Sequence, residues 1–310
     1  MNEVVRHAEA ILRAACGDRV RTRFPLAPLT TFRIGGPAAL YLEPEGEADL
    51  AAAAQAKRET SIPVVVLGKG SNVLVADDGF PGLVLRLGRS FRWAGREGQV
   101  LSAGAAMPLP ALSGVALSHG LSGLEFGVAI PGSLGGAVRM NAGAHGGEMS
   151  RILAAIDVFE LDAGAWRRIE ASRVRFSYRR TELPHGAVVV AAAVRLAPAE
   201  PERIRTSMDQ AREWRRRNQP LAEPNCGSVF KNPPEGHAAR LIEEAGGKGM
   251  AVGGAAVSTK HANFIVTREG ASAADVVALI GAVQDLVESR SGIRLEPEVH
   301  LVGDLDLATR

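Results

Sequence analysis

Two glycine clusters, each at the end of an apolar segment, constrain the fold of this chain more than any other feature. The first, "GKGSN" at residues 68–72, follows "IPVVVL", and the second, "PGSLGG" at residues 131–136, follows "LEFGVAI". Glycine lets the main chain turn sharply and approach a ligand closely, and successive N–H groups in such a turn can form an anion-binding nest. Tight turns in a β-rich domain would explain one cluster. Two clusters of this kind favour a bound dinucleotide.

The first cluster does not match the familiar phosphate-binding motifs. A P-loop requires a glycine at the position of Pro63, five residues before Gly68. A Rossmann fingerprint requires its third glycine where Val73 stands. The glycine turns therefore predict a dinucleotide site of another kind.

Composition excludes several classes of protein. The chain has 310 residues, of which 46% are hydrophobic and 23% charged, and a formal net charge of +2, so we expect a soluble protein of about two domains that does not bind nucleic acid. Cys16 and Cys226 do not indicate a disulfide framework, and the histidines show no metal-ligand spacing. The chain has neither the roughly 18 consecutive apolar residues that span a bilayer nor a signal-peptide pattern. We therefore expect no metal, no membrane insertion and a cytoplasmic location.

Several elements can be predicted from periodicity and capping signals. Helices are expected at the amphipathic N-terminus, over residues 47–61, over the basic segment Glu202–Arg217, and from Ser272 onward, where Asp275 stands in capping-box register. The sequence pattern changes at the prolines Pro198 and Pro201, which predicts a domain boundary near residue 200. A smaller α+β unit is expected after it.

Two further local predictions concern turns and glycine. Asp78-Gly79 lies between two apolar runs, which is typical of a hairpin. Residues 124–150 contain so many glycines that no regular element is expected there.

Seven segments, in order and over nearly the whole chain, match those of one known family. They are "TTFRIGGPA", "LGKGSNVLVADDGFPGLVL", "GLEFGVAIPGSLGGAVRMNAGAHGGEM", "FSYRRTEL", "QPLAEPNCGSVFKNP", "GGAAVSTKHANFIV" and "LEPEVHLVG". Together they resemble the UDP-N-acetylenolpyruvoylglucosamine reductases, flavoenzymes that make UDP-N-acetylmuramate in bacterial peptidoglycan synthesis, a pathway needed for cell shape and division.

The resemblance implies an α+β fold with two functional parts. Residues 1–200 would form a two-lobed FAD-binding region of the vanillyl-alcohol-oxidase (PCMH) type, with lobes of about 1–66 and 67–200. Residues 201–310 would form a C-terminal α+β substrate-binding domain. The division near residue 200 agrees with the boundary read from composition. An FAD-binding fold of this type also explains why the chain lacks a Rossmann signature.

The resemblance also implies non-covalently bound FAD, with NADPH as the hydride-donating co-substrate. The residues implied along the FAD diphosphate are Gly70, Ser71, Asn72, Pro131, Gly132, Ser133, Gly135 and Gly136, with looser matches at Arg33, Ile34, Asn141 and Gly143.

In the reaction that the family implies, flavin N5 gives a hydride to C3 of the enolpyruvyl group of UDP-N-acetylglucosamine enolpyruvate. C2 must then be protonated. Ser228 matches the family's proton donor, Arg179 the arginine that contacts the enolate, and Glu298 the catalytic glutamate, with Glu296 as the alternative. A donor to so basic a centre need not be a strong acid, so a hydroxyl without a neighbouring imidazole suffices.

Contacts to the sugar nucleotide are implied at fewer positions. They are Tyr178, Lys231, Asn232 and the arginine run 215–217, in which Arg217 is preferred. Cys226, although close to Ser228 in sequence, is interpreted as a small packed residue. No role beyond structure is predicted for His261 and Asn263, which match a family signature.

The chain departs from the family pattern at His145 and His300, which replace a frequent tyrosine and the usual arginine. Pro234–Leu241 leaves no room for the long tyrosine-bearing loop of one family branch, so the chain resembles the loop-lacking branch.

Two other functions stay open at this point. One is an FAD-dependent sugar or lactone oxidase of the same superfamily, and the other is a non-catalytic UDP-sugar-binding protein. The segments "GSVFKNP" and "EPEV" disfavour the first, and the intact glycine clusters disfavour the second. We expect a monomer in the bacterial cytoplasm whose partners are small molecules.

Overall fold

A computed structural model describes residues 2–306 of the chain. Within this range the helices are α1 (Glu3–Cys16), α2 (Glu47–Thr60), α3 (Leu109–Ser118), α4 (Leu134–Arg139), α5 (Pro201–Asn218), α6 (Ala238–Glu244) and α7 (Ala273–Ser291).

The strands are distributed along the whole described range. They are β1 (Arg21–Pro25), β2 (Pro37–Leu42), β3 (Val64–Val66), β4 (Val73–Val75), β5 (Phe80–Leu85), β6 (Ala94–Glu97), β7 (Val100–Gly104), β8 (Leu121–Ser122), β9 (Gly143–Ala144), β10 (Gly147–Glu148), β11 (Leu153–Glu160), β12 (Ala165–Glu170), β13 (Phe176–Ser177), β14 (Arg180–Thr181), β15 (Ala187–Arg195), β16 (Ala197–Pro198), β17 (Ala251–Val252), β18 (Ala255–Val257), β19 (Ile265–Thr267) and β20 (His300–Val302).

The helices predicted from capping and periodicity are confirmed. α1 begins after Asn2, whose side chain accepts a hydrogen bond from Val5 N at 2.9 Å. α7 begins with the predicted capping box of Ser272 and Asp275 and ends at Gly292, which has φ 72°. α2 and α5 also form at the predicted places.

The described residues form two compact units. Unit 1 comprises residues 2–22, Leu40–Lys69 and Gly82–Arg215, and unit 2 comprises Arg23–Ala39, Gly70–Pro81 and residues 216–306. These units are defined by contacts within the chain and are not the predicted domains, whose boundary near residue 200 stays a prediction.

The main sheet of unit 1 is antiparallel and has the strand order β12–β11–β15–β7–β6. Its central strand β15 is buried at every position except Arg195. A strand covered on both faces needs apolar side chains throughout, which explains the unbroken run "AVVVAAAV". α4 lies against β15, so the glycine-rich segment that contains α4 is held on this sheet.

Unit 2 has its core around α7. The buried side chains Val276, Ile280 and Val283 of this helix share one apolar cluster with Val229 and Phe230. Strands β17, β18 and β19 form an antiparallel sheet in the same unit, and β4 pairs in parallel with β20. The residues that directly follow Ser228 are thus anchored in the core.

The predicted hairpin at Asp78-Gly79 is wrong. The turn itself forms, because Gly79 has φ 86° and donates a hydrogen bond to Ala76 O at 2.9 Å. The strands on its two sides belong to different sheets, since β4 pairs with β20 whereas β5 pairs with β2 and β3. A local turn signal gives no information about which distant strand is the partner.

The absence of regular structure predicted for residues 124–150 is also wrong. α4, β9 and β10 lie within this segment. Leu134 N donates to Met107 O at 2.8 Å, and Gly135 N donates to Ala105 O at 2.9 Å. Hydrogen bonds to a neighbouring segment therefore support a short helix that glycine would disfavour on its own.

Candidate active site

The turn that carries Ser228 is built by Asn225. The Asn225 side chain accepts a hydrogen bond from Gly227 N at 2.9 Å and donates to two main-chain oxygens at 3.1 Å and 2.7 Å. Gly227 has φ 83°, a conformation that other residues adopt only with strain. Cys226 is buried in the core of unit 2. The half-buried Ser228 is therefore held on a turn that is fixed on both sides.

Ser228 leads into a short antiparallel ribbon. Residues 229–231 lie alongside residues 296–298, and we call this pair of segments the site ribbon. Glu298 N donates to Val229 O at 2.7 Å, and Lys231 N donates to Glu296 O at 2.9 Å. Ser228 thus directly precedes the residue that pairs with Glu298.

The two acids of the site ribbon have different surroundings. Glu296 is exposed, and its carboxylate forms an ion pair with the ammonium group of Lys231. Glu298 is half-buried. Burial, and then the negative charge of Glu298, raise the pKa of the Cys226 thiol. Glu298 therefore lies near the buried side of the turn, whereas Glu296 lies at the surface.

The end of the first glycine cluster contacts the site ribbon within unit 2. Asn72 Nδ2 donates to Glu298 O at 3.1 Å, and His300 N donates to Asn72 O at 3.1 Å. The side chain of Asn72, which was predicted to line the FAD diphosphate, thus has a bond to the main chain at Glu298.

The other residues predicted near FAD in unit 2 come from two segments that touch each other. Thr31 N donates to Gly70 O at 3.0 Å. Gly70 has φ 63°, and a Cβ there would overlap Leu29 O. Arg33 also has a left-handed backbone, with φ 59°, and Ile34 is buried beside it. The residues brought together in this way are Arg33, Ile34, Gly70, Ser71 and Asn72.

In unit 1 the glycines allow very close approaches of the main chain. A Cβ on Gly68 would lie 2.7 Å from Ser133 Oγ, and a Cβ on Gly135 would lie 2.9 Å from the Cβ of Ala105. Ser133 is buried and caps α4, with Gly136 N donating to its Oγ at 3.4 Å. Pro131 and Gly132 directly precede this cap, Pro131 being exposed.

The first glycine cluster also has positive surroundings. Burial, and then the charges of Arg92 and Arg86, lower the pKa of Lys69. Three cationic side chains therefore lie near one another in unit 1, next to Gly68. Positive charge beside a turn without side chains suits an anionic ligand such as a diphosphate.

Arg179 lies in the two-residue loop of the β13–β14 hairpin. It has φ 58° at a turn position where glycine is usual. Its guanidinium lies over the ring of Tyr178, 4.7 Å from the ring centroid. A Cβ on Gly143 would be 3.3 Å from the Nη1 atom of Arg179, so the small residue leaves room for the guanidinium.

This hairpin is attached to the glycine-rich segment of unit 1. Asn141 Nδ2 donates to Ser177 O at 3.1 Å, and Asn141 Oδ1 accepts from Ser150 N at 2.9 Å. Thr181 Oγ1 donates to Val138 O at 2.5 Å. Asn141, predicted loosely as an FAD contact, is buried, and its amide holds the Arg179 hairpin in place.

Strained backbone is concentrated in the predicted site segments. The described residues other than glycine with left-handed φ are Arg23, Arg33, Ser61, Asn141, His145 and Arg179. Each such residue costs of the order of 1–3 kcal/mol, and strain of this kind is common at functional sites. Arg33, Asn141 and Arg179 were predicted from the sequence to contact cofactor or substrate.

The predicted sugar-nucleotide contacts are less closely grouped. Tyr178 and Asn232 are exposed, and Asn232 Oδ1 accepts from Ala238 N at 3.0 Å at the start of α6. Arg217 is exposed near the end of α5. Burial lowers the pKa of Arg215, two residues earlier. The structure does not single out one arginine of this run.

Among residues 2–306, no group of three or more histidine, cysteine, aspartate or glutamate side chains could hold a metal ion. In the same range, no helix has both the length and the apolar character needed to cross a bilayer.

The fold and the glycine-lined surfaces define an FAD-binding protein. The family model for the FAD binding domain matches residues 38–169. The fold is also similar to that of a variant of Phl p 4, a glucose dehydrogenase, with a TM-score of 0.50 and 14% identity over 63% of this chain and 44% of that chain. The predicted fold class, an α+β protein with an FAD-binding region of the oxidase type, is confirmed.

The remaining part of the chain determines the family. The model for the C-terminal domain of UDP-N-acetylenolpyruvoylglucosamine reductase matches residues 219–302. The reductase of Heliobacterium modesticaldum is 48% identical over 282 residues, which are 90% of each chain. That of Anaeromyxobacter sp. (strain Fw109-5) is 46% identical over 303 residues, 96% of this chain and 94% of the relative.

A solved structure gives the same result. The crystal structure of the reductase from Thermus caldophilus matches with a TM-score of 0.81 and 38% identity, over 92% of this chain and 99% of that chain. The chain belongs to the UDP-N-acetylenolpyruvoylglucosamine reductase family. It is therefore an FAD-dependent oxidoreductase, as predicted.

The residues of the site fit the flavin cofactor. In unit 1, Gly68 has no side chain where the main chain approaches Ser133, and in unit 2, Gly70 has none where it approaches Leu29. The positive charges of Lys69, Arg86 and Arg92 suit the diphosphate. Each of these turns suits an anionic group such as the FAD diphosphate.

Sequence reasoning missed two residues of the site. Asn225 builds the Ser228 turn, and Asn263 is bonded to the site ribbon. Asn225 precedes a Cys-Gly pair, which is a signal for a side chain that bonds two residues ahead. The contacts of Asn263 are long-range, and no local pattern indicates them.

Proposed function

We propose that this enzyme catalyses the NADPH-dependent reduction of UDP-N-acetylglucosamine enolpyruvate to UDP-N-acetylmuramate. The observation that carries the proposal is the site ribbon. In it, Ser228 directly precedes Val229, whose main-chain oxygen accepts a hydrogen bond from Glu298 N. Bound FAD supplies the hydride that is delivered to C3 of the enolpyruvyl group, and NADPH is the source of that hydride.

The protein must supply the proton for C2. The Ser228 hydroxyl gives its proton to C2, which carries negative charge delocalised into the adjacent carboxylate. So basic a carbon accepts a proton from an alcohol, and therefore a rigid position matters more than acid strength. The turn built by Asn225 and Gly227 provides that position.

Arg179 stabilises the developing enolate, and Glu298 has a separate role. Arg179 contributes positive charge, and its loop conformation is fixed by the bonds of Asn141 and Thr181 to neighbouring main chain. Glu298 relays a proton to Ser228 or polarises the C2 region. Since Glu296 is paired with Lys231 at the surface, Glu298 is the better placed of the two acids.

The sugar nucleotide would be bound by further residues, which the family resemblance implies. Lys231 and Asn232 follow Ser228 on the same segment, Tyr178 lies beside Arg179, and Arg217 supplies a cation for the diphosphate.

The finer features predicted from sequence belong to the same proposal. They are a monomer that acts on small molecules and not on nucleic acid, a bacterial cytoplasmic location, and membership of the loop-lacking branch. The predicted domains 1–200 and 201–310 are supported by the family models, which match residues 38–169 and 219–302.

The test is the oxidation of NADPH by the purified holoenzyme with and without the enolpyruvyl sugar. NADPH consumption should depend on the sugar, and the product should have the mass of UDP-N-acetylmuramate. In ²H₂O with unlabelled NADPH, deuterium should enter at C2 and not at C3. A sugar or lactone oxidase would instead consume O₂, and a non-catalytic binding protein would show no turnover.

A further inference from the structure

The side chain of Asn263 both accepts a hydrogen bond from the site ribbon and donates one to it. Its Oδ1 accepts a hydrogen bond from Phe230 N at 2.9 Å, and its Nδ2 donates to Phe230 O at 2.8 Å. Asn263 is buried, with only 4% of its surface exposed. A single carboxamide thus satisfies both main-chain groups of one residue, as the edge of a neighbouring strand would do.

The main chain of Asn263 continues the same pattern. Val229 N donates to Asn263 O at 2.9 Å, while Val229 O accepts from Glu298 N on the other side. The segment that follows Ser228 is therefore bonded to Asn263 along one edge and to residues 296–298 along the other. This continuous row of hydrogen bonds ends at Glu298, whose main-chain oxygen accepts from Asn72 Nδ2.

We propose that Asn263 is a positioning residue for the reaction. It fixes the register of residues 229–230 and thereby the placement of Ser228 relative to Glu298. The inference rests on the proposed function, in which Ser228 protonates C2 and Glu298 assists it. It predicts that loss of the carboxamide slows the protonation half of the reaction and leaves reduction of the flavin by NADPH unaffected.

The first test compares two variants that each replace one buried amide side chain by an apolar one. Asn263→Leu removes both bonds to Phe230. Gln284→Met, the matched control, removes the bond from Gln284 Nε2 to Leu295 O, which is 2.9 Å long and equally buried in unit 2. In stopped-flow measurements, we expect Asn263→Leu to slow reoxidation of the reduced enzyme by the enolpyruvyl sugar about 10²-fold, the loss typical of a small misplacement of reacting groups.

Flavin reduction by NADPH should stay within about twofold of wild type in both variants. Gln284→Met should keep the wild-type rate in both half-reactions. Equal slowing of both half-reactions by Asn263→Leu, or an equal effect of Gln284→Met on the sugar half-reaction, would overturn the proposal. If the wild-type enzyme does not reduce the sugar at all, the proposed function fails instead.

The second test uses Asn263→Asp and its pH dependence, which a purely structural role would not produce in one half-reaction only. A protonated carboxyl group has one O–H donor and an accepting oxygen, so it can make both bonds to Phe230, whereas a carboxylate cannot donate to Phe230 O. Burial raises the pKa of such a carboxyl group. The sugar half-reaction of this variant, relative to wild type, should therefore recover as the pH falls. A ratio that does not change with pH would contradict the proposal.

Amide hydrogen exchange gives a readout without substrate or turnover. Exchange at Val229 and Phe230 should accelerate at least tenfold in Asn263→Leu, because both amides then lose their partner or its alignment. The same amides should keep wild-type protection in Gln284→Met. Unchanged protection of Phe230 in Asn263→Leu would show that the carboxamide does not hold the ribbon.

Discussion

Ser228 is half-buried on a turn whose conformation is set by its neighbours, with Asn225 bonded to Gly227 N and Cys226 buried in the core. Burial and the charge of Glu298 raise the pKa of the Cys226 thiol, so this thiol does not supply a nucleophile at neutral pH. Because Cys226 is buried and Ser228 is only half-buried, the hydroxyl of Ser228 is the group of this turn that can reach a substrate. Its contribution depends on where the turn holds it.

Replacement of Ser228 by alanine tests this contribution directly. We expect Ser228→Ala to slow reoxidation of the enzyme by the enolpyruvyl sugar by about 10²–10⁴-fold, the usual contribution of a positioned proton donor. The rate of flavin reduction by NADPH should change little. Stopped-flow absorbance of the flavin measures both rates, and an equal loss in the two half-reactions would show that Ser228 is not the donor.

The two ribbon acids provide a second comparison at the same scale. Glu298→Gln should lower the rate of the sugar half-reaction by at least tenfold more than Glu296→Gln, because Glu298 is half-buried near the turn while Glu296 is exposed and paired with Lys231. Glu296→Gln should act mainly on KM, through the released Lys231. Steady-state kinetics separate the two effects, and the opposite order of rates would transfer the catalytic role to Glu296.

Among the elements, the β13–β14 hairpin combines a predicted site residue with backbone strain. Arg179 occupies its loop with φ 58°, where glycine would be relaxed. Arg179→Ala removes the guanidinium and keeps the strain, whereas Arg179→Gly removes both. We therefore expect the glycine variant to have a free energy of unfolding about 1 kcal/mol higher than the alanine variant, as measured by urea denaturation.

Both variants should lose the sugar half-reaction to a similar extent, since both lack the cation that we propose to stabilise the enolate. A glycine variant no more stable than the alanine variant would mean that the loop is not strained at Arg179. A glycine variant that keeps full activity would mean that the guanidinium has no part in the reaction.

The helices and strands also show which structural features a local sequence pattern can predict. The capping box of Ser272 and Asp275 defines α7 because its signals lie within one helical turn. The hairpin expected at Asp78-Gly79 fails because β4 pairs with β20, more than two hundred residues away. α4 forms in a glycine-rich segment because Gly135 N bonds to Ala105 O. The pairing of β4 and the formation of α4 both depend on hydrogen bonds to segments that are distant in the sequence.

The same limit applies to the site. Two glycine clusters, each following an apolar segment, favoured a dinucleotide site, and the family resemblance implied the roles of Ser228 and Glu298. The pairing of residues 229–231 with 296–298, and the bonds of Asn263 to Phe230, join segments that are far apart in the chain. No periodicity or turn chemistry encodes such a register, so these contacts needed the structure.

At the scale of the whole molecule, two histidines link stability to pH. Burial is the largest cause of the lowered pKa of His261, and partial desolvation lowers the pKa of His145, which is exposed and therefore contributes less to stability. In the unfolded chain a histidine titrates near 6.5, so below about pH 6.5 the unfolded chain binds more protons at these positions than the folded chain. The free energy of unfolding then increases with pH across this window. This stability is complete above about pH 6.5 and is lost as the pH falls towards the folded-state pKa values.

We therefore predict that the free energy of unfolding declines between pH 7.5 and 5.5, and that His261→Gln and His145→Gln each reduce the slope. His261 Nδ1 accepts a hydrogen bond from Asn263 N at 3.3 Å, and protonation of this atom would remove the acceptor. The effect of His261 should consequently extend to the site ribbon, with faster amide exchange at Phe230 in the wild-type enzyme near pH 5.5 than near pH 7.5 after correction for intrinsic rates. Urea denaturation at several pH values measures the slopes. Slopes unchanged in both variants would show that carboxylates, and not these histidines, govern acid stability in this range.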